Sequence, residues 1–195
     1  MIDKHAAATK LLWVDLEMTG LDSRTDVILE VAAEITDCDF NKIAGFQAAI
    51  IQPQAKLDQM NAWCKEQHKK SGLLERLQTE GETEKEVVAK LVDFINSEFK
   101  SEPAILAGNS IHNDRQFIKF WWPEVEELLH YRMLDVSSFK ILMQSKYDVL
   151  YEKKDLHRAF DDVQASISEL EYYLNWFAKT PIEQGAQTNK IEIVT

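Results

Sequence analysis

The sequence predicts an α/β fold in which one mixed, five-stranded sheet carries helices on both faces. Three observations predict this architecture. Three consecutive strand-like segments fill most of the first 53 residues, later strand-like segments alternate with helical ones, and 195 residues with 45% hydrophobic content suffice for one core. Consecutive strands joined by turns favour an antiparallel meander, and strands alternating with helices favour parallel pairing. We expect one domain over 1–180 and a polar C-terminal tail over 181–195.

The meander is predicted over 10–18, 27–37 and 43–53, with the polar turns "TGLDSRTD" and "CDFNK" between its strands. The first segment holds a nearly continuous apolar run, which is typical of a strand covered on both faces. We therefore expect this strand in the centre of the sheet.

The rest of the chain alternates between helical and strand-like patterns. A helix is expected over 83–99, where Thr83 and Glu86 form a capping box. A strand over 131–138 should run into a helix whose N-cap is Ser137 or Ser138. The remaining predicted elements are a helix over 55–70, a short helix or loop over 71–81, a strand over 104–108, a helix from 113 that ends near Pro123, and a last helix over 160–177.

The net charge of −11 limits the kind of nucleic acid that the chain could bind. Proteins that follow a long nucleic acid carry a basic stripe, because their affinity comes from neutralising many phosphates. Here the lysines and arginines are dispersed. A polyanionic substrate should therefore be short or held through metal ions.

The chain shows no sign of a membrane or secreted protein. No apolar stretch approaches the roughly 20 residues that cross a bilayer, and the N-terminal residues lack the apolar core of a signal peptide. Cys38 and Cys64 have neither disulfide-framework nor metal-site spacing. We expect reduced thiols and a cytoplasmic protein.

Four carboxylates occupy positions that require an explanation. Asp15 and Glu17 are two apart in the first strand, so both should project from the same face. Asp114 begins the helix that follows the strand 104–108, and Asp162 begins the last helix, five residues after His157. Acids gathered in one cleft repel each other and take up protons unless divalent cations neutralise them. The order of these residues therefore predicts a metal site.

Each of these residues has a plainer interpretation when taken alone. An Asp-x-Glu pair is commonly the wet face of an edge strand, Asp114 and Asp162 could be first-turn acids favoured by the helix dipole, and His157 could be a surface histidine. Helical periodicity does not choose between Asp161 and Asp162 as the fourth acid.

The ordered set resembles the DEDD exonucleases of the h subgroup, which have a ribonuclease H-like fold and remove nucleotides from 3′ ends. The resemblance runs from about 10 to about 177. Within the subgroup the chain is most similar to the oligoribonucleases, through "WVDLEMTGLD", "WCKEQHKKSGL", "GNSIHNDRQF", "HYRMLDVSS" and "HRAFDDV".

The resemblance implies a role for each catalytic residue. Asp15, Glu17, Asp114 and Asp162 would be ligands of two divalent metal ions, Mg²⁺ or Mn²⁺. The family spacing from histidine to aspartate selects Asp162 rather than Asp161. His157 would be the general base, since imidazole titrates near neutral pH.

The resemblance also implies how a substrate would be held. Leu21 and Trp63 match base-stacking positions, although Trp63 could instead be a core aromatic of an amphipathic helix. A cap for the 5′ phosphate would consist of Ser110, Arg132, Ser137 and Ser138. The family is homodimeric, so Tyr131 would reach the neighbouring active site and His68 could approach substrate across the dimer.

We therefore expect a 3′-to-5′ exoribonuclease that degrades di- to pentanucleotides, especially dinucleotides, to nucleoside 5′-monophosphates by two-metal-ion hydrolysis. An alternative is an exonuclease that trims or proofreads longer RNA or single-stranded DNA, which the dispersed basic residues disfavour. A catalytically inactive RNA-binding relative is disfavoured because all four acids and the histidine are present.

Overall fold

The computed structural model describes residues 8–100, 102–152 and 159–179. In this part of the chain the strands form a single five-stranded sheet in the order β3-β2-β1-β4-β5. Their bounds are β1 Lys10–Met18, β2 Ile28–Asp37, β3 Lys42–Ala49, β4 Ala104–Gly108 and β5 Leu129–Asp135. His157 and the predicted tail over 181–195 lie outside the described residues.

The pairing pattern confirms a meander extended by parallel strands. β2 pairs antiparallel with both β1 and β3, whereas β4 pairs parallel with β1 and with β5. β1 is the central strand of the sheet, as its apolar run predicts. The parallel ladder between β1 and β4 covers only Leu12 and Trp13 of β1, so the C-terminal half of β1 faces other groups on that side.

Eight helices are described, and they cover both faces of the sheet. Their bounds are α1 Gln54–Gln59, α2 Ala62–Lys70, α3 Leu73–Thr79, α4 Glu84–Phe99, α5 His112–Trp121, α6 Pro123–Glu126, α7 Val136–Tyr147 and α8 Ala159–Lys179. The predicted capping box is present, because Thr83 accepts from the backbone N–H of Glu86 and the Glu86 carboxylate accepts from that of Thr83.

Alternate residues of β1 enter two separate cores. Leu12, Val14 and Leu16 pack with apolar residues of α4 and α5. Leu11 and Trp13 face the other way and pack with residues of α7 and α8. This period of two is the strand geometry that the sequence pattern predicts. Among the described residues, no helix combines the length and the apolarity of a membrane span.

Three predicted boundaries are wrong. The helix expected over 55–70 is interrupted at Met60, which is extended, and restarts because the Asn61 side chain accepts from the N–H of Cys64. The strand expected over 43–53 ends at Ala49, after which Ile51 donates to the Glu82 carbonyl instead of continuing the β2 ladder.

The third wrong boundary is the start of α7. Neither Ser137 nor Ser138 is its N-cap. Asp135 caps the helix, because its carboxylate accepts from the backbone N–H of Ser137 at 2.9 Å. β5 accordingly ends at Asp135 and not within the serine pair.

Candidate active site

Three of the four predicted carboxylate ligands meet at the end of β1. Asp15 and Glu17 project from the face of the sheet that α8 covers, and Asp162 reaches them from the first turn of α8. One carboxylate oxygen from each of the three lies within 4.8 Å of the other two. Asp161 is not a member of this group, so the geometry separates the two neighbouring acids that helical periodicity leaves equivalent. Oxygen donors at this spacing suit a hard divalent cation.

Asp114, the fourth predicted ligand, lies beside this group in the first turn of α5. Its Oδ1 accepts a hydrogen bond of 3.0 Å from the backbone N–H of Leu16, which lies between Asp15 and Glu17. This N–H is beyond the end of the β1–β4 ladder, so a side chain satisfies it. Burial raises the pKa of Asp114 to about 7. A divalent cation beside this carboxyl would offset the cost of burying its charge and would lower its pKa.

The turn that leads into α5 is possible because β4 ends in a glycine. A Cβ atom on Gly108 would lie 2.9 Å from the carbonyl oxygen of Val14. The two backbones therefore approach each other too closely for any side chain at this position. This contact fixes the segment 109–114 against β1, and with it the place of Asp114.

His68 lies against the acidic group of its own chain, whereas the family resemblance implies an approach to substrate across the dimer. Its ring is only 5% exposed, Nε2 donates to the carbonyl oxygen of Met18 at 2.8 Å, and Nδ1 is 3.7 Å from Oε2 of Glu17. Burial lowers the pKa of this imidazole. The structure thus places His68 beside the acids of its own chain, and no sequence pattern on α2 predicts this contact.

Leu21 and Trp63, the predicted stacking residues, project into solvent. Leu21 is 81% exposed and Trp63 is 66% exposed. The interpretation of Trp63 as a core aromatic is therefore wrong, since Cys64 and His68 are the residues that α2 buries. Large apolar side chains held in water are available to a ligand.

Leu21 is presented by a turn that one carboxylate holds closed. Asp26 accepts from the Thr19 hydroxyl at 3.0 Å and from the backbone N–H of Asp22 at 2.9 Å. A Cβ atom on Gly20 would lie 2.5 Å from Oδ2 of Asp26. A side chain at this position would therefore displace the Asp26 carboxylate from its hydrogen bonds in the turn.

Two of the four residues predicted to hold the 5′ phosphate are in contact with each other. The hydroxyl oxygens of Ser110 and Ser137 are 3.1 Å apart, and the backbone N–H of Ser110 donates to Oγ of Ser137 at 3.0 Å. Ser138 is exposed at the next position of α7. Arg132 is exposed on β5, with its guanidinium carbon 5.2 Å from the ring centroid of Tyr131, which is itself 63% exposed.

Asp135 organises this corner and was not predicted. The same oxygen, Oδ1, accepts from the backbone N–H groups of Ser110 and Ser137 at 3.0 and 2.9 Å. Ser110 has a positive φ of 48°, which turns its N–H towards this carboxylate. An acid directly before a predicted helix start is the available sequence signal, because aspartate is a preferred N-cap.

Comparison with known proteins agrees with this geometry. A family model described as an exonuclease matches residues 12–170. Human mitochondrial oligoribonuclease is 41% identical over 185 residues, which cover 92% of this chain and 78% of that protein. The oligoribonuclease of Vibrio campbellii is 42% identical over 167 residues, which cover 84% of this chain and 92% of that protein. This chain belongs to the oligoribonuclease family of exonucleases.

Membership of the oligoribonuclease family confirms the predicted enzyme class, a metal-dependent 3′-to-5′ exoribonuclease.

Solved structures confirm the ribonuclease H-like fold. Exonuclease I of Methylocaldum szegediense superposes with a TM-score of 0.65 at 18% identity, covering 88% of this chain and 43% of that one. Exonuclease I of E. coli, solved with a dT13 oligonucleotide, gives a TM-score of 0.62 at 14% identity. The chain spans less than half the length of these exonuclease I chains.

Proposed function

We propose that this oligoribonuclease relative degrades di- to pentanucleotides, especially dinucleotides, to nucleoside 5′-monophosphates. The observation that carries the proposal is the group of three carboxylate oxygens within 4.8 Å, on a central strand and a helix start. The net charge of −11 supports short substrates, since a long polyanion would meet repulsion without a basic track to offset it.

The donor set fits two divalent cations, Mg²⁺ or Mn²⁺. Asp15, Glu17 and Asp162 offer only carboxylate oxygens, the ligands that these hard cations prefer. Asp114 would complete the set from its place beside Leu16. Two bound ions would stabilise the attacking and the leaving oxygen of a phosphodiester during in-line displacement.

We propose His157 as the general base on the family pattern alone, because it lies outside the described residues. It precedes by two residues the first residue of α8, the helix that carries Asp162. Its imidazole would take a proton from the attacking water. The new bond joins the water oxygen to phosphorus, and the bond from phosphorus to the 3′ oxygen of the preceding nucleotide breaks.

The exposed apolar side chains support a site that binds any base. Leu21 and Trp63 would stack on bases without reading their identity. Ser110, Arg132, Ser137 and Ser138 would receive the 5′ phosphate of a dinucleotide. A pocket closed at that phosphate would favour the shortest chains.

A homodimer would complete the pocket in this proposal. Tyr131 is 63% exposed on β5 and would reach the partner's active site. His68 lies against Glu17 of its own chain, and we propose that it acts near that chain's own acids rather than across the dimer. We propose the cytoplasm as the compartment, because both cysteines are free thiols. The human relative is named mitochondrial.

Turnover measured against substrate length tests the proposal. Labelled RNAs from two to twenty nucleotides are incubated with Mg²⁺ or Mn²⁺ and excess enzyme, and each cleavage step is timed. We expect rapid cleavage of dinucleotides and a steep fall with length. Equal turnover at every length would instead favour trimming or proofreading of longer strands, and bound but uncleaved dinucleotide would indicate an inactive relative.

A further inference from the structure

Helix α8 buries a carboxylate that has no part in the proposed reaction. Glu169 is 0% exposed. Its oxygens accept from the Tyr173 hydroxyl at 2.8 Å and from the side-chain amide of Asn109 at 3.1 Å, and the Lys140 ammonium is 3.6 Å away. Burying a carboxylate is costly unless donors surround it, and here a hydroxyl, an amide and an ammonium group do so. Burial, and then the hydrogen bond to Glu169, raises the pKa of Tyr173.

Glu169 determines which way the Asn109 amide faces. An ionised carboxylate only accepts, so the amide nitrogen of Asn109 must point towards it. The same nitrogen is 3.0 Å from Oγ of Ser166, and the Ser166 hydroxyl donates its hydrogen to the Asp162 carbonyl at 2.9 Å. Both amide hydrogens of Asn109 are therefore directed into α8.

The amide oxygen of Asn109 is left facing the serine pair. The Ser137 hydroxyl donates to this oxygen at 3.3 Å. Since Ser137 has one hydroxyl hydrogen, it accepts from both the N–H and the hydroxyl of Ser110. The Ser110 hydroxyl is then the group that can turn to an arriving anion while its N–H stays in place.

We propose that Glu169 is a positioning residue that acts through Asn109 to orient Ser137 and Ser110 for the 5′ phosphate of the substrate. This inference rests on the phosphate cap in the function proposed above. It assigns a role to an acid that never touches substrate. It also joins the phosphate corner to α8, the helix that carries Asp162.

Glu169→Gln tests this role because it keeps the shape of the side chain and removes the charge. A glutamine can donate, so Asn109 is free to turn over and present its nitrogen to Ser137. Ser166→Ala is a second variant that removes the other acceptor of the same amide without changing any charge. Glu34→Gln is the matched control, since Glu34 is a 2% exposed carboxylate that pairs with Lys42.

The readouts are KM and kcat for a 5′-phosphorylated dinucleotide and for its 5′-hydroxyl counterpart. In Glu169→Gln we expect KM for the phosphorylated substrate to rise about tenfold, the loss typical of one hydrogen bond to a charged group. KM for the 5′-hydroxyl substrate and kcat for both should stay near wild type. Ser166→Ala should give a smaller change in the same direction, and Glu34→Gln none.

An equal rise of KM for both substrates would show that Glu169 supports packing only, and would overturn the inference. An unchanged ratio of the two KM values in both variants would do the same. If Glu169→Gln does not fold, the ratio of the two KM values in Ser166→Ala tests the inference in its place. A wild-type enzyme that treats both substrates alike would reject the proposed phosphate cap itself, whereas a wild-type preference that survives in the variants rejects this inference alone.

Discussion

Adjacent acids with the same chemistry have different surroundings at the start of α8. Asp162 places a carboxylate oxygen within 4.8 Å of oxygens on Asp15 and Glu17, whereas Asp161 is not in that group. Successive residues on a helix are about 100° apart around its axis, so only one of two neighbours can face a given strand. A single residue position thus determines which acid can serve a cation.

The pair provides a matched test of the proposed metal site. Asp162→Asn should lower kcat at least about 100-fold. Loss of a residue that only hydrogen-bonds to a metal ligand already lowers metal affinity or activity about 10–100-fold. Asp161→Asn should stay near wild type. Turnover of a dinucleotide at saturating Mg²⁺ or Mn²⁺ measures both, with circular dichroism as the folding control. Similar losses in the two variants would contradict the assignment.

The two thiols should differ in reactivity. Cys64 is buried in α2, and burial raises its pKa above the ordinary value of 9.0, whereas Cys38 is exposed. Since the thiolate is the reactive form, a raised pKa leaves less of it at any given pH. Iodoacetamide at about pH 8 should modify Cys38 first, and the rate at Cys64 should still be rising above about pH 9. Peptide mass mapping measures both rates, and faster labelling of Cys64 would be the contrary result.

At the scale of elements, the turn between β1 and β2 connects the acids of β1 to Leu21, which is proposed to stack on a base. Asp26 closes this turn through Thr19 and Asp22, and Leu21 projects from it. The indole N–H of Trp121 on α5 donates to the backbone carbonyl of Asp26 at 3.0 Å. The position of Leu21 is therefore fixed by two elements that also carry proposed metal ligands.

Asp26→Ala should loosen the turn without touching the acids. We expect KM for a dinucleotide to rise about tenfold, which corresponds to losing part of the free energy of stacking one base. The value of kcat should change little. Arg24→Ala is the control, because only the backbone N–H of Arg24 takes part in the turn, through Oδ1 of Asp22. A fall in kcat with unchanged KM would contradict a positioning role.

At the scale of the whole molecule, the acidic charge should appear in the salt dependence of binding. A dinucleotide has few phosphates, so its KM should change by less than about tenfold over a fourfold rise in salt. A protein that follows a long strand through 6–10 phosphate contacts loses roughly 10³–10⁵ in affinity over that range. Steady-state kinetics with a dinucleotide and a twenty-nucleotide RNA measure both slopes. A steep slope for the dinucleotide would indicate binding by dispersed basic residues.

Much of this molecule could be predicted from local sequence patterns. The period of two in β1 predicts the shared face of Asp15 and Glu17, and the capping box at Thr83 predicts the start of α4. Contacts between distant segments have no such local signal. His68 and Glu17 are 3.7 Å apart, and Asn109 meets Glu169 across 60 positions of sequence. Asp135 was missed because the serines after it are equally good N-caps by type.

The hydrogen bond from His68 to Met18 has a mechanical consequence. It ties α2, which bears Trp63, to the strand that bears Glu17. Helix α2 would stack on a base and β1 would hold the cations. Since this hydrogen bond joins the two elements, we expect them to move together. We therefore expect the rate at which the mononucleotide product leaves to depend on the strength of its stacking rather than on a movement of α2 relative to β1.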